Sequence, residues 1–171
     1  MIHILLVRHG QAGKPDPALW PDDDLRPLTG KGRKAFKHAA RGLRSQAPDS
    51  SRILTSPALR TLQTAEVLAD GLRLDKKAIR IVPELHHGIA PAKALETLAH
   101  MHPKRLPRSM VLVGHEPWLG EFLSLLIAGG AKYASTALDK GGACLVEAES
   151  LDRGKGVLRW LLTQEQLRDL A

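Results

Sequence analysis

Short apolar runs of strand length recur along this chain, separated by longer segments that carry apolar residues on one helical face. Residues 2–7, 52–55, 79–82 and 110–113 read as strands. Thr29 is placed to cap a helix over 29–44 with Phe36, Ala39, Ala40 and Leu43 on one side. Ser56 at the cap and Pro57 in the first turn start a second helix, with Leu59, Leu62, Ala65, Leu68 and Ala69 as its stripe and Gly71 at its end. Residues 91–101 and 117–127 read as two more helices, the latter closed by Gly129 and Gly130. Residues 143–148 and 157–162 read as a hairpin turning through Asp152, Arg153 and Gly154, and 164–170 as a short last helix. Strands alternating with helices predict an α/β fold: a three-layer α/β/α sandwich around a mostly parallel sheet. The 171 residues suit one domain over 1–171.

In a sheet of this kind ligands gather at the carboxyl ends of the strands. The first strand ends in Arg8, His9 and Gly10, and the fourth leads to Gly114 and His115. The second leads through Ser56 and Pro57 to Arg60, and Glu84 follows the third. Two arginines, two histidines and a carboxylate would therefore converge at one sheet edge. Two guanidiniums can neutralise a dianionic phosphoryl group and hold its oxygens. A neutral imidazole can attack phosphorus in line, and nearby arginine charge keeps its pKa from rising. The other imidazole can donate to a non-bridging oxygen.

Four segments carry a resemblance. Leu6-Val7-Arg8-His9-Gly10, Leu28-Thr29-x-x-Gly32, Ser56-Pro57-x-x-Arg60-Thr61-x-Gln63-Thr64-Ala65 and Val113-Gly114-His115-Glu116-Pro117 resemble, in order, the motifs of the histidine phosphatase superfamily, the phosphoglycerate mutase-like group. The resemblance implies His9 as the nucleophile that becomes phosphorylated. It implies Arg8, Arg60 and His115 as the phosphate pocket, and no cofactor. Glu84-Leu85-His86-x-Gly88 is similar to the segment that holds the family's general acid, which makes Glu84 a candidate for that role. Pro83-Glu84-Leu85 also resembles the SixA-type phosphohistidine phosphatases. About 25 residues separate Leu85 from the Met110 strand, enough for one helix and a small cap. An open site of that kind can admit a side chain presented by another protein.

The expected function is thus a metal-independent phosphatase releasing inorganic phosphate through a phosphohistidine intermediate. Its substrate would be phosphohistidine on a signalling or phosphocarrier protein. Imidazole leaves more readily than an alkoxide, so such a substrate needs less acid help than an alkyl phosphate. The alternatives are a small-molecule phosphomonoesterase of the same superfamily and a silent module that binds phosphoproteins.

Other features are read more plainly. The net charge of +7 is spread over residues such as Lys31, Lys37, Arg44, Lys76 and Lys104, and only 4% of residues are aromatic. That combination suits a solvated or steering surface and leaves little for stacking on bases, so no nucleic-acid partner is expected. His86-His87 and His100-x-His102 lack a compact carboxylate or cysteine pattern in the sequence, so no metal is expected. Cys144 reads as a small core residue. Trp118 reads as packing or pocket wall, and Trp20, beside Asp22 to Asp24, as a loop residue that could touch substrate. No apolar run approaches a membrane span, no leader peptide is evident and there is no cysteine pair; a cytoplasmic location is expected.

Overall fold

The computed structural model describes residues 1–47, 49–101 and 107–171; His102 and Lys104, named above, lie outside them. Six strands form one mixed sheet: β1 (Ile2–Arg8), β2 (Ile53–Thr55), β3 (Ile79–Ile81), β4 (Ser109–Gly114), β5 (Ala143–Ala148) and β6 (Gly156–Leu162). Their order is β3-β2-β4-β1-β5-β6. The pairs β3–β2, β2–β4 and β4–β1 are parallel, and β5 runs antiparallel to both β1 and β6.

The central position of β1 explains its composition. Both its edges are paired and both its faces are covered, so Ile4, Leu5, Leu6 and Val7 are all buried and the run is continuously apolar rather than alternating. Ile4 and Leu6 join Met110, Leu112, Cys144 and Val146 beneath α3 (Pro91–His100) and α4 (Trp118–Ala128). Leu5 and Val7 face the other way, with Val111 and Val113. They pack against α1 (Gly30–Gln46), α2 (Leu59–Leu72) and Leu167 of α5 (Gln164–Asp169). The predicted three layers follow from this division.

Most element ends fall near their expected places. Thr29 caps α1, its hydroxyl accepting from the Gly32 N–H, and Gly129 closes α4 in the left-handed conformation at φ 85°. Two expectations need correction. Ser56 does not cap α2: the cap position is Ala58, which makes no side-chain bond, and the Ser56 hydroxyl turns to the site instead. Gly71 does not end α2 either. The helix runs on to Leu72, and Arg73 takes the left-handed cap at φ 59°. Gly71 is instead a crossing point. A Cβ there would lie 2.7 Å from the Cβ of Ala40, so its hydrogen lets α2 approach α1. Cys144 is the expected core residue, fully buried, its thiol pushed up to about 12 chiefly by burial.

Candidate active site

The chain ends of β1, β2 and β4 come together because the three strands are neighbours and parallel. Past β1, the His9 N–H donates to the Gly114 carbonyl, and past β2 the Ser56 N–H donates to Val113. The backbone ladder thereby carries the three motifs to one cavity of about 430 Å³. Arg8, His9, Arg60 and His115 all line it. A wider hollow of about 670 Å³, between α1, α2 and the C-terminal residues, is lined by lysine, arginine and Asp70 but contains no imidazole.

Each of the four side chains is held by a definite contact. His9 is 7% exposed, and its Nδ1 lies 2.7 Å from the Gly10 carbonyl. A carbonyl only accepts, so Nδ1 bears the hydrogen and the neutral ring keeps its lone pair on Nε2. The Gly10 N–H donates to Thr64 Oγ1, whose own hydroxyl donates to the Arg60 carbonyl, tying the segment after β1 to α2. The His9 and His115 rings stand 5.4 Å apart, edge to face at 61°. His115 Nε2 lies 3.0 Å from Ser56 Oγ, while its Nδ1 is buried without a partner. Arg8 donates through one terminal nitrogen to the Leu138 carbonyl at 2.7 Å. Arg60 donates to the Asp23 carbonyl at 2.7 Å and pairs with the Asp23 carboxylate at 3.1 Å. The Nε–H groups of both arginines are buried and unpartnered.

Two buried donors without partners, the Nε–H groups of Arg8 and Arg60, and the unengaged Nδ1 of His115 therefore belong to residues of one cavity, beside a histidine with a free lone pair. Buried donors are normally satisfied, and a set like this marks the place of an anion.

The electrostatics keep His9 neutral. Burial lowers its pKa most; the Gly10 carbonyl opposes this, and Arg60, Arg8 and Arg26 lower it further, to about 4. Burial, then Arg60, lowers His115 to about 2. Arginine charge contributes as expected, but burial is the larger cause. In imidazole NMR spectra titrated from pH 8 downward, His9 is expected to remain neutral with Nδ1 protonated until about pH 4. A midpoint near 6.5 would contradict the burial. Because its unfolded pKa is 6.5 and its folded value is lower, the unfolded chain takes up the proton first as pH falls. The stability held above 6.5 is therefore lost between about pH 6.5 and 4.

The cavity wall contains residues for which the sequence offered little signal. Lys14, Asp23, Arg26, His87, Glu116 and Lys140 all line it. Asp23 sits in a 3₁₀ turn, Asp23–Leu25, and pairs with Arg26 at 2.7 Å as well as with Arg60. The Arg26 hydrogen bond, together with Arg60, holds its carboxyl below the usual range. Glu116 is a brace: one carboxylate oxygen accepts from the Leu138 N–H at 2.7 Å and the other from the Gly120 N–H. It thereby fixes the Leu138 carbonyl that orients Arg8.

Glu84 and Trp20 are placed differently from the expectation. Glu84 is half-buried in the 3₁₀ turn Pro83–Leu85 and is not among the residues lining the cavity. The turn gives its inward position to Leu85, 1% exposed, and it is His87 that reaches the wall. Trp20 is half-buried on the Asp-rich loop, and Asp23 rather than the indole faces the cavity. Trp118 packs as expected, stacked on Phe122 at 5.1 Å with its Nε1–H on the Ile89 carbonyl.

Tertiary folding also supplies the carboxylate that the His86-His87 pair lacked in the sequence. Ligand atoms of Asp24, His86 and His87 lie within 4.8 Å of one another. The hydrogen bonds work against a metal there. The Gly88 N–H donates to His86 Nδ1, so Nε2 carries the hydrogen and donates to Asp24 at 2.8 Å, leaving no lone pair for an ion.

A sequence model of the histidine phosphatase superfamily (branch 1) matches residues 4–121. The phosphohistidine phosphatase SixA of Escherichia coli K12 is 30% identical over 152 residues, covering 82% of this chain and 88% of SixA. An uncharacterized protein of Picosynechococcus is 36% identical over 131 residues, covering 75% of this chain and 74% of its own. The solved structure of the protein histidine phosphatase SixA complexed with tungstate superposes with a TM-score of 0.81 at 24% identity, covering 97% of this chain and 99% of that one. The fold, the motif order over 4–121 and the relatives agree: this chain belongs to the histidine phosphatase superfamily, branch 1, and is a phosphatase.

Proposed function

We propose that this phosphatase, working as one domain over residues 1–171 in the cytoplasm, removes phosphoryl groups from histidine on a signalling or phosphocarrier protein. The observation that carries the reading is the set of unpartnered buried nitrogens, Arg8 Nε–H, Arg60 Nε–H and His115 Nδ1, beside the free lone pair of His9.

Arg8 and Arg60 bind the phosphoryl oxygens, and His115 Nδ1 donates to a non-bridging oxygen as charge builds. His9 Nε2 attacks phosphorus, and the bond to the substrate's imidazole breaks with its electron pair staying on that nitrogen. A substrate imidazole already protonated on its other nitrogen leaves neutral. The phosphorylated His9 ring is then cationic, with Nδ1–H held by Gly10. Water attacks phosphorus, the water proton passes to solvent, and His9 departs as the neutral imidazole it began as. Exchanging one phosphorus–imidazole bond for another is near balanced in energy, which suits this substrate.

The similarity to SixA over most of both chains supports the phosphohistidine substrate. So does the thin cover: α3 is the one helix described between the Pro83–Leu85 turn and β4. The exposed cavity lysines Lys14 and Lys140 suit an anionic partner surface. No described helix is long and apolar enough to cross a membrane.

The test is phosphate release from a labelled phosphohistidine domain beside a panel of phosphomonoesters. A kcat/KM at least about 100-fold higher on the phosphoprotein is expected, a margin of about 2.7 kcal/mol in transition-state stabilisation. Preference for a small phosphomonoester would move the protein to the small-molecule reading. Phosphate binding without turnover on any substrate would make it a binding module.

A further inference from the structure

The four imidazoles at this site are not held alike. His9 is tied to Gly10, His115 to Ser56, and His86 to both Asp24 and Gly88. His87 has no hydrogen bond among the described residues, although its ring lines the cavity. It stands edge to face with His115 at 5.1 Å and 74°, and lies against His86 at 4.1 Å. His87 is exposed, whereas His86 is half-buried and His9 and His115 are buried.

We propose that His87 is the proton donor to the leaving group when that group departs through oxygen. The inference rests on the phospho-His9 reading above. His87 takes the role in place of Glu84, which is not among the residues lining the cavity. Geometry selects His87: it is the one imidazole of the wall with both nitrogens unengaged, and it adjoins the histidine that faces the phosphoryl group.

The charges around His87 give the proton its timing. The turn of Asp23 and Asp24 raises its pKa, while His86, Arg60 and burial, the largest cause, lower it below 6.5. His115, packed against it, is neutral. The free site therefore holds His87 mostly neutral at pH 7.5. A dianionic phosphoryl group entering the cavity favours the imidazolium and draws in one proton. As His9 Nε2 bonds to phosphorus, the bond to the leaving oxygen breaks with its pair on oxygen, and that oxygen takes the His87 proton. Neutral His87 regains its proton from solvent, and water releases phosphate from His9 as above.

The gain from such a donor grows with the basicity of the leaving group. Turnover of aryl and alkyl phosphates graded by leaving-group pKa is to be compared in wild type, His87→Ala, His87→Gln and Glu84→Gln. Both His87 variants should lose about 100-fold on the most basic leaving groups and less than about threefold on p-nitrophenyl phosphate and phosphohistidine. The leaving-group dependence should steepen; on the basic leaving groups wild-type kcat should fall as pH rises and His87 loses its proton, and both His87 variants should lack that fall. Glu84→Gln should match wild type throughout. A uniform loss across leaving groups in His87→Ala, a graded loss in Glu84→Gln, or no wild-type turnover of any monoester would overturn the proposal. Failure of the underlying reading looks different: His9→Ala would retain activity, or no phosphoryl group would be found on His9.

Discussion

Replacing His9 with alanine is expected to lower turnover by on the order of 10⁴-fold or more on every substrate, because a double-displacement route loses its only nucleophile. The residue combines the three features the role requires. Its Nε2 keeps a lone pair because Nδ1–H is held by Gly10, its pKa is lowered to about 4, and it shares a cavity with the unpartnered Nε–H groups of Arg8 and Arg60. Removing a polar ring from a site whose other groups keep their own partners should leave the fold intact, so thermal melting should change little. The check is rapid quench with a phosphorus-labelled substrate. Wild type should carry acid-labile label on His9, and the variant none. Activity within tenfold of wild type would overturn the assignment.

Arg60→Ala should reduce kcat/KM by about 10³-fold, the scale seen when a preorganised donor to a developing charge is removed. Arg60 is 3% exposed, enters from the first turn of α2 and offers an unpartnered Nε–H while its terminal nitrogens hold Asp23. Arg60→Lys should recover less than a tenth of the loss, since a point charge cannot hold Asp23 and the phosphoryl oxygens together. Inhibition by inorganic phosphate should weaken in parallel. The ion pair with Asp23 is partly solvent-exposed, so its loss should move stability little. Retention of phosphate inhibition in Arg60→Ala would show that the guanidinium does not bind the anion.

Residues whose role depends on local structure were legible in the chain itself. Arg8 and His9 follow a short, continuously apolar run of strand length, which the structure shows as β1. Arg60 follows a strand by one helical entry, and His115 follows another. Parallel neighbouring strands must present such residues at one edge, so the pocket followed from the order of elements. The wall of the pocket did not. Ser56 read as a helix cap because Ser-Pro is a good local start, yet its hydroxyl meets His115 from 59 residues away. Gly71 read as a stop because the approach of α1 is invisible from α2 alone.

The sequence by itself determined the alternation of elements, the strand-end chemistry and the family, since these rest on periodicity and on residues adjacent in the chain. Only the tertiary structure decided that His87 rather than Glu84 reaches the cavity, that Asp23 rather than Trp20 faces it, and that Asp24 meets His86. In irregular turns no period dictates which side chain points inward. The choice falls to burial of a neighbour such as Leu85 and to long-range partners, and neither is encoded within the turn.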